Sequence, residues 1–127
     1  MTVKILDVGN CDPDHSSISA LLQANFDVAI DRTHGFADAM ESVRSQQYGL
    51  VLINRLMDRD GSPGIEIIKA VKSDPATAET KVMMITNFAE HQEIAVNAGA
   101  VAGFGKAALH EPETLAILSE HLAVPKS

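Results

Sequence analysis

The chain has 127 residues, 46% hydrophobic and 21% charged, which is the size and composition of one globular domain and not of a disordered segment. Ten Lys and Arg against 17 Asp and Glu give a net charge of −7 with no basic cluster, so direct nucleic-acid binding is not expected. A single cysteine, Cys11, excludes an internal disulfide and suits a reducing compartment; with no signal-peptide pattern and no apolar run near the roughly 20 residues of a membrane helix, a cytoplasmic protein without membrane contact is expected.

Apolar runs and helical stretches alternate five times along the sequence. Val3–Val8 is a short aliphatic run interrupted by Asp7. Asp12-Pro13 reads as a helix start, with Asp as cap and Pro at the first helical position, and Ile18, Leu21 and Leu22 follow at helical spacing. A second strand is expected over 26–30. Thr33 reads as the cap of a second helix whose apolar face is Phe36, Ala39, Met40 and Val43. Leu50 to Ile53 is uninterrupted, as expected for a strand covered on both faces. A turn-rich stretch, 58–64, precedes a third helix carrying Ile65, Ile67, Ile68 and Val71. Strand 4 is expected over 81–85. Helix 4 is expected over 89–98, ended by Gly99. Strand 5, over 101–105, is weakened by two glycines. Glu111-Pro112 opens helix 5 through Leu115, Leu118 and Leu122. One domain is expected over 1–123, with a tail at 124–127.

Five successive strand–helix units imply a parallel sheet with helices on both faces. Right-handed crossovers leave few arrangements. The expected one is α/β and flavodoxin-like: a doubly wound five-stranded parallel sheet of strand order 2-1-3-4-5. Such a sheet carries its site at the carboxyl ends of the strands. That rule selects 9–12, 54–58, 86–88 and Lys106.

Four motifs meet there. They are Tyr48-Gly49-Leu50-Val51-Leu52-Ile53-Asn54 with Met57; Gly64-Ile65-Glu66-Ile67-Ile68-Lys69 with Asp74-Pro75; Val82-Met83-Met84-Ile85-Thr86; and Ala98-Gly99-Ala100 with Lys106. In order and spacing the chain resembles, over nearly its whole length, the response regulator receiver domains of two-component phosphorelay signalling. The resemblance implies a phosphorylation pocket. An aspartate ending strand 3 accepts the phosphoryl group, two acids after strand 1 help to bind Mg²⁺, a Ser or Thr ends strand 4, and a lysine ends strand 5.

Matched residue by residue, the sequence keeps Thr86 and Lys106 but has Asn54 for the nucleophile and Gly9-Asn10 for the acidic pair. A neutral amide cannot form an acyl phosphate. The expectation is a pseudo-receiver with a degenerate phosphorylation pocket, no catalytic residue, no metal and no cofactor. Asp7, Asp12 and Asp58 are the possible substitute acids. Asp7 either reaches up into the space that Gly9 leaves or is a hydrogen-bonded structural residue, the latter being preferred. Lys106 either finds a new anion, with Asp12, Asp58 or a bound solute as candidates, or is simply solvated. The aromatic that the family places in strand 5 falls at Gly103, and simple alternation turns Phe104 to the opposite face.

The remaining polar residues read as structural. Asp12, Asp14 and His15 imitate metal ligands but are better explained as a helix cap and first-turn surface residues. His34, His91, His110 and His121 read as surface histidines. Residues 58–61 imitate part of a calcium loop and read as a solvated turn, and Cys11 as an incidental thiol.

The expected role is a phosphorylation-independent protein–protein signalling module. Its partner surface would be the one implied by the family, namely helix 4, strand 5 and helix 5, including Phe88, His91, Gln92, Ala95, Phe104, Glu113 and Ile117, some of them core. An active receiver using a displaced Asp and a small-molecule-binding flavodoxin-like protein are the alternatives.

Overall fold

A computed structural model describes residues 2–122; the expected domain end at 123 and the tail 124–127 lie outside them. The elements are β1 (Val3–Val8), α1 (Asp12–Asn25), β2 (Val28–Thr33), α2 (Phe36–Ser45), β3 (Leu50–Asn54), α3 (Ile65–Ser73), β4 (Val82–Ile85), α4 (Ala89–Asn97), β5 (Val101–Phe104), a short 3-10 turn (Lys106–Ala108) and α5 (Pro112–His121). The strands form one parallel sheet in the order β2-β1-β3-β4-β5, as the alternation of strands and helices predicts.

Strand alternation divides the core into two layers. Leu6, Val8, Val51, Ile53, Val82 and Met84 face α2, α3 and α4, where Met40, Val43, Ile67, Ile68, Val71 and Ala95 cover them. Ile5, Leu50, Leu52, Met83 and Ile85 face α1 and α5, against Ile18, Leu22 and Leu118. The three central strands are buried on both faces, which is why β3 and β4 read as unbroken apolar runs.

Three boundaries differ from expectation. The second strand is not 26–30 but Val28–Thr33, because the Phe26 N–H closes α1 on the Leu22 carbonyl. β2 is an edge strand and tolerates Asp31 and Arg32, each with an ionic partner. Thr33 does not cap α2; it is the buried end of β2. The orphan N–H groups of His34 and Gly35 are instead satisfied by the Asp38 carboxylate, at 2.8 Å each. Nor is Asp12 the cap of α1, since Cys11 holds that position and Asp12 begins the helix.

A bulge sets the position of β5. Val101 pairs with Met83 and Phe104 with Ile85, so three steps along β5 match two along β4. Phe104 therefore enters the same core layer as Val101, beside Leu109 and Leu118.

Candidate functional site: the carboxyl ends of β1, β3, β4 and β5

Asn54, Thr86 and Lys106 converge as the sequence predicts. Each stands at or just past the end of its strand, and all three line one pocket of about 210 Å³ with Arg55, Leu56 and Phe88 on its rim. Asn54 ends β3 and uses its amide as a donor, to the Leu56 carbonyl at 2.6 Å and the Gly9 carbonyl at 3.3 Å. Thr86 is buried after β4, and its Oγ1 accepts the Phe88 N–H at 3.3 Å. Arg55 lies 5.4 Å from the Phe88 ring centroid, a cation–π distance.

Lys106 pairs with neither Asp12 nor Asp58. Its Nζ lies 2.7 Å from Asp14 Oδ2, in the first turn of α1. That hydrogen bond holds the Asp14 carboxyl below its ordinary range, partial burial opposing it. The Cys11 thiol donates to the same Asp14 oxygen at 3.1 Å. In the sequence Asp14 imitates a metal ligand, and in the fold it is the partner of Lys106 instead. Its position in the first turn of the helix after β1, facing the expected lysine, was the available signal.

Gly9 and Asn10 do not complete the pocket. Gly9 has φ +77, and a Cβ there would lie 2.5 Å from Met57 Cε. The turn after β1 is thus built around an absent side chain in a left-handed backbone. Asn10 is buried and turned downward, with Nδ2 donating to Asp7 Oδ1 at 2.5 Å and Oδ1 left without a partner. His15 Nδ1 lies 2.5 Å from Asp7 Oδ2. Asp7, 1% exposed, is therefore enclosed between Asn10 and His15 and does not reach up to the pocket. His15 in turn is not a free surface histidine but ties α1 to the core of the sheet.

The other two candidate acids stand aside from the pocket. Asp12 pairs with Arg32 at 2.7 Å, and that bond lowers its carboxyl from the ordinary value. Asp58 lies 3.0 Å from His34 Nδ1 and 4.0 Å from Arg32. The turn at 58–61 is accordingly anchored at Asp58, and His34 has a carboxylate partner that the sequence reading did not assign. Arg32, on the edge strand, thus joins the α1 start to the β3–α3 loop, and its Nε is buried without a partner.

The pocket-lining residues bring amide, hydroxyl and carbonyl oxygens but no carboxylate. Among the described residues no group of three or more His, Cys, Asp or Glu side chains is placed to hold a metal ion. Mg²⁺ favours hard carboxylate or phosphate oxygens in an octahedral shell, so this donor set does not fit it. Also among the described residues, no helix is long and apolar enough to cross a membrane.

No protein-family model matches the sequence, and no curated protein does. Solved structures do match. A putative response regulator from Chloroflexus aurantiacus J-10-fl superposes with a TM-score of 0.84 at 18% identity, over 97% of this chain and 99% of that one. The fold is that of a response regulator receiver domain. The chemotaxis response regulator CheY4 of Vibrio cholerae shares it with a TM-score of 0.73 at 20% identity, over 96% and 100% of the two chains. So does the receiver domain of a Pseudomonas aeruginosa sensor histidine kinase, described with a magnesium ion coordinated in its active-site cleft, with a TM-score of 0.74 at 16% identity over 97% and 99%. Asn54 ends β3, and Thr86 and Lys106 stand just past β4 and β5.

Proposed function

We propose that this chain is a cytoplasmic signalling module of receiver fold that acts by protein–protein contact, without accepting a phosphoryl group and without catalysing a reaction. The observation that carries the reading is the state of Asn54. Its amide nitrogen donates to two backbone carbonyls, and an amide so held offers no nucleophilic oxygen for an acyl phosphate. Two further facts support it: Lys106 is already paired with Asp14, and an acid at position 9 would have to adopt a left-handed backbone and displace the Met57 thioether.

Intact-mass spectrometry after incubation with acetyl phosphate and Mg²⁺, alongside a calorimetric Mg²⁺ titration, tests the reading. No mass increase and no binding at millimolar Mg²⁺ are expected. A phosphoryl adduct mapped to Asp58, Asp12 or Asp7 would replace this reading with that of an active receiver using a displaced acid.

The partner surface is read as α4, β5 and α5. Of the residues expected there, Ala95 and Phe104 belong to the core and Gln92 is engaged with the backbone of β4 and β5. Phe88 is 54% exposed, and Ile94 and Val96 are 49% and 44% exposed, which is apolar area available to a partner.

A further inference from the structure

We propose that the pocket at the ends of β3 and β4 binds a small aromatic carboxylate, its acid group held by the Arg55 guanidinium and its ring packed on Phe88 and Leu56, with no metal and no covalent bond. This rests on the reading of Asn54 as a residue that accepts no phosphoryl group, and names the class of ligand that the same site takes instead.

The polar side of the pocket is built for an anion. Two cations, Arg55 and Lys106, and no carboxylate line it, in a chain whose net charge is −7. The acids of the adjoining segments are turned to other partners: Asp58 lies 3.0 Å from His34, Asp14 is paired with Lys106, and Glu90 is directed at His91. Arg32 and Arg44 each have an aspartate partner, whereas among the described residues the Arg55 guanidinium has no carboxylate partner and lies over the Phe88 ring, 5.4 Å from its centroid. A guanidinium with one face over a ring keeps the N–H groups of its edge for a planar, two-oxygen acceptor, which a carboxylate is. Two further donors stand beside it. The Thr86 hydroxyl accepts the Phe88 N–H at 3.3 Å, so its own proton is free to be given. Asn87 uses its Oδ1 to take the Ala107 N–H at 3.0 Å, which leaves its Nδ2 to donate.

The apolar side decides what the anion is attached to. Leu56 and Phe88 line the same pocket and are 39% and 54% exposed, so two large apolar side chains left open to water stand where the ring of a ligand would cover them. The space, about 210 Å³, is below the roughly 300–1,000 Å³ of sites that take drug-sized molecules, which restricts the ligand to about one ring and its acid group. A nucleotide is too large, and inorganic phosphate would leave Leu56 and Phe88 uncovered. Because Lys106 is held by Asp14 at 2.7 Å, the main anchor is Arg55, a residue outside the phosphorylation set that the receiver resemblance implies.

The test titrates sodium benzoate into the isotope-labelled full chain and follows the amide shifts. Binding at about millimolar concentration is expected, with the shifts clustered at 54–56, 86–88 and 106. Benzamide, the neutral isostere, should bind at least about tenfold more weakly, and Arg55→Gln should weaken benzoate by about the same factor. Phe88→Ala should weaken it roughly fivefold. Arg59→Gln, the same charge change further along the β3–α3 loop, should leave it within about twofold. Equal affinities for benzoate and benzamide, equal losses in Arg55→Gln and Arg59→Gln, or shifts clustered away from the pocket would overturn the proposal. So would an absence of binding, or tighter binding of inorganic phosphate at the same residues, since the site would then read charge alone. Intact mass after acetyl phosphate and Mg²⁺ treatment checks the underlying reading separately: a phosphoryl adduct overturns that reading, while benzoate binding to the untreated chain still assigns the site.

Discussion

Lys106 Nζ and Asp14 Oδ2 stand 2.7 Å apart and join the chain just past β5 to the first turn of α1. The side chains are 30% and 34% exposed, so solvent screens the pair. A double-mutant cycle of Asp14→Asn and Lys106→Met, followed by urea unfolding, should give a coupling of at most about 1 kcal/mol that shrinks with added salt. The sign with pH follows from the lowered Asp14 value. The contribution is complete above the ordinary carboxyl value of 3.8 and is lost as pH falls through the lower folded-state value.

Restoring an acid at position 54 should destabilise the fold. In the pose of Asn54, a carboxylate would offer no proton and face the oxygens of Gly9 and Leu56. Urea unfolding of Asn54→Asp should show a loss of about 1–2 kcal/mol at neutral pH, partly recovered when Asp14→Asn releases Lys106. Gly9→Ala should cost roughly 1–2 kcal/mol by itself, through its left-handed backbone. A variant refilled with acids at 9, 10 and 54 is therefore expected to unfold at lower urea than the parent and to take up little phosphoryl group.

Much of this was legible in the sequence. The unbroken runs at β3 and β4 announced doubly covered parallel strands, and motif order brought Asn54, Thr86 and Lys106 to one pocket, though not Gly9 and Asn10. What escaped was partner choice among polar side chains. Thr33 and Asp12 have good capping chemistry, yet Asp38 serves the start of α2 and Cys11 holds the cap position of α1 with no side-chain cap bond, while Asp12 pairs with Arg32 and β2 extends to Thr33. The bulge in β5 was hidden as well: alternation turns Phe104 away from Gly103, as it is, but does not reveal that Phe104 shares a face with Val101. Asp7 stood out as an anomaly, but its partner His15 lies eight residues on, across the β1–α1 turn, and no periodicity links them.

Asp7 tests how much that hidden contact matters. Asp7→Leu would strand the Asn10 amide and the His15 ring nitrogen beneath the sheet end. A loss of about 1–3 kcal/mol is expected in urea unfolding, the cost of the buried orphan at Asn10, His15 being partly open to water. Adding Asn10→Leu should recover part of it, because the second change removes one stranded donor. Full additivity of the two losses would show that the residues do not share a contact.

Tyr48 offers a spectroscopic check at the opposite end of β3. It is the only tyrosine and there is no tryptophan, so phenolate absorbance reports this residue alone. Burial first, and then the hydrogen bond to Asp31 at 2.7 Å, push its value up to about 12. The alkaline titration should therefore lag well behind that of free tyrosine until unfolding intervenes. Asp31→Asn should shorten the lag without abolishing it. Because the folded value lies above the unfolded one, stability should begin to fall as pH rises past about 10.

The Gln92 amide has a kinetic meaning. Its Oε1 takes the Gly103 N–H at 3.0 Å and its Nε2 reaches the Met84 carbonyl at 2.8 Å, so one side chain of α4 is clamped to two strands at once. A surface fixed in this way is expected to meet a partner without a slow opening step. Its association rate should follow diffusion and electrostatic steering, linear in partner concentration with no plateau. Differences among partners would then be expressed in how long each stays, not in how quickly it arrives.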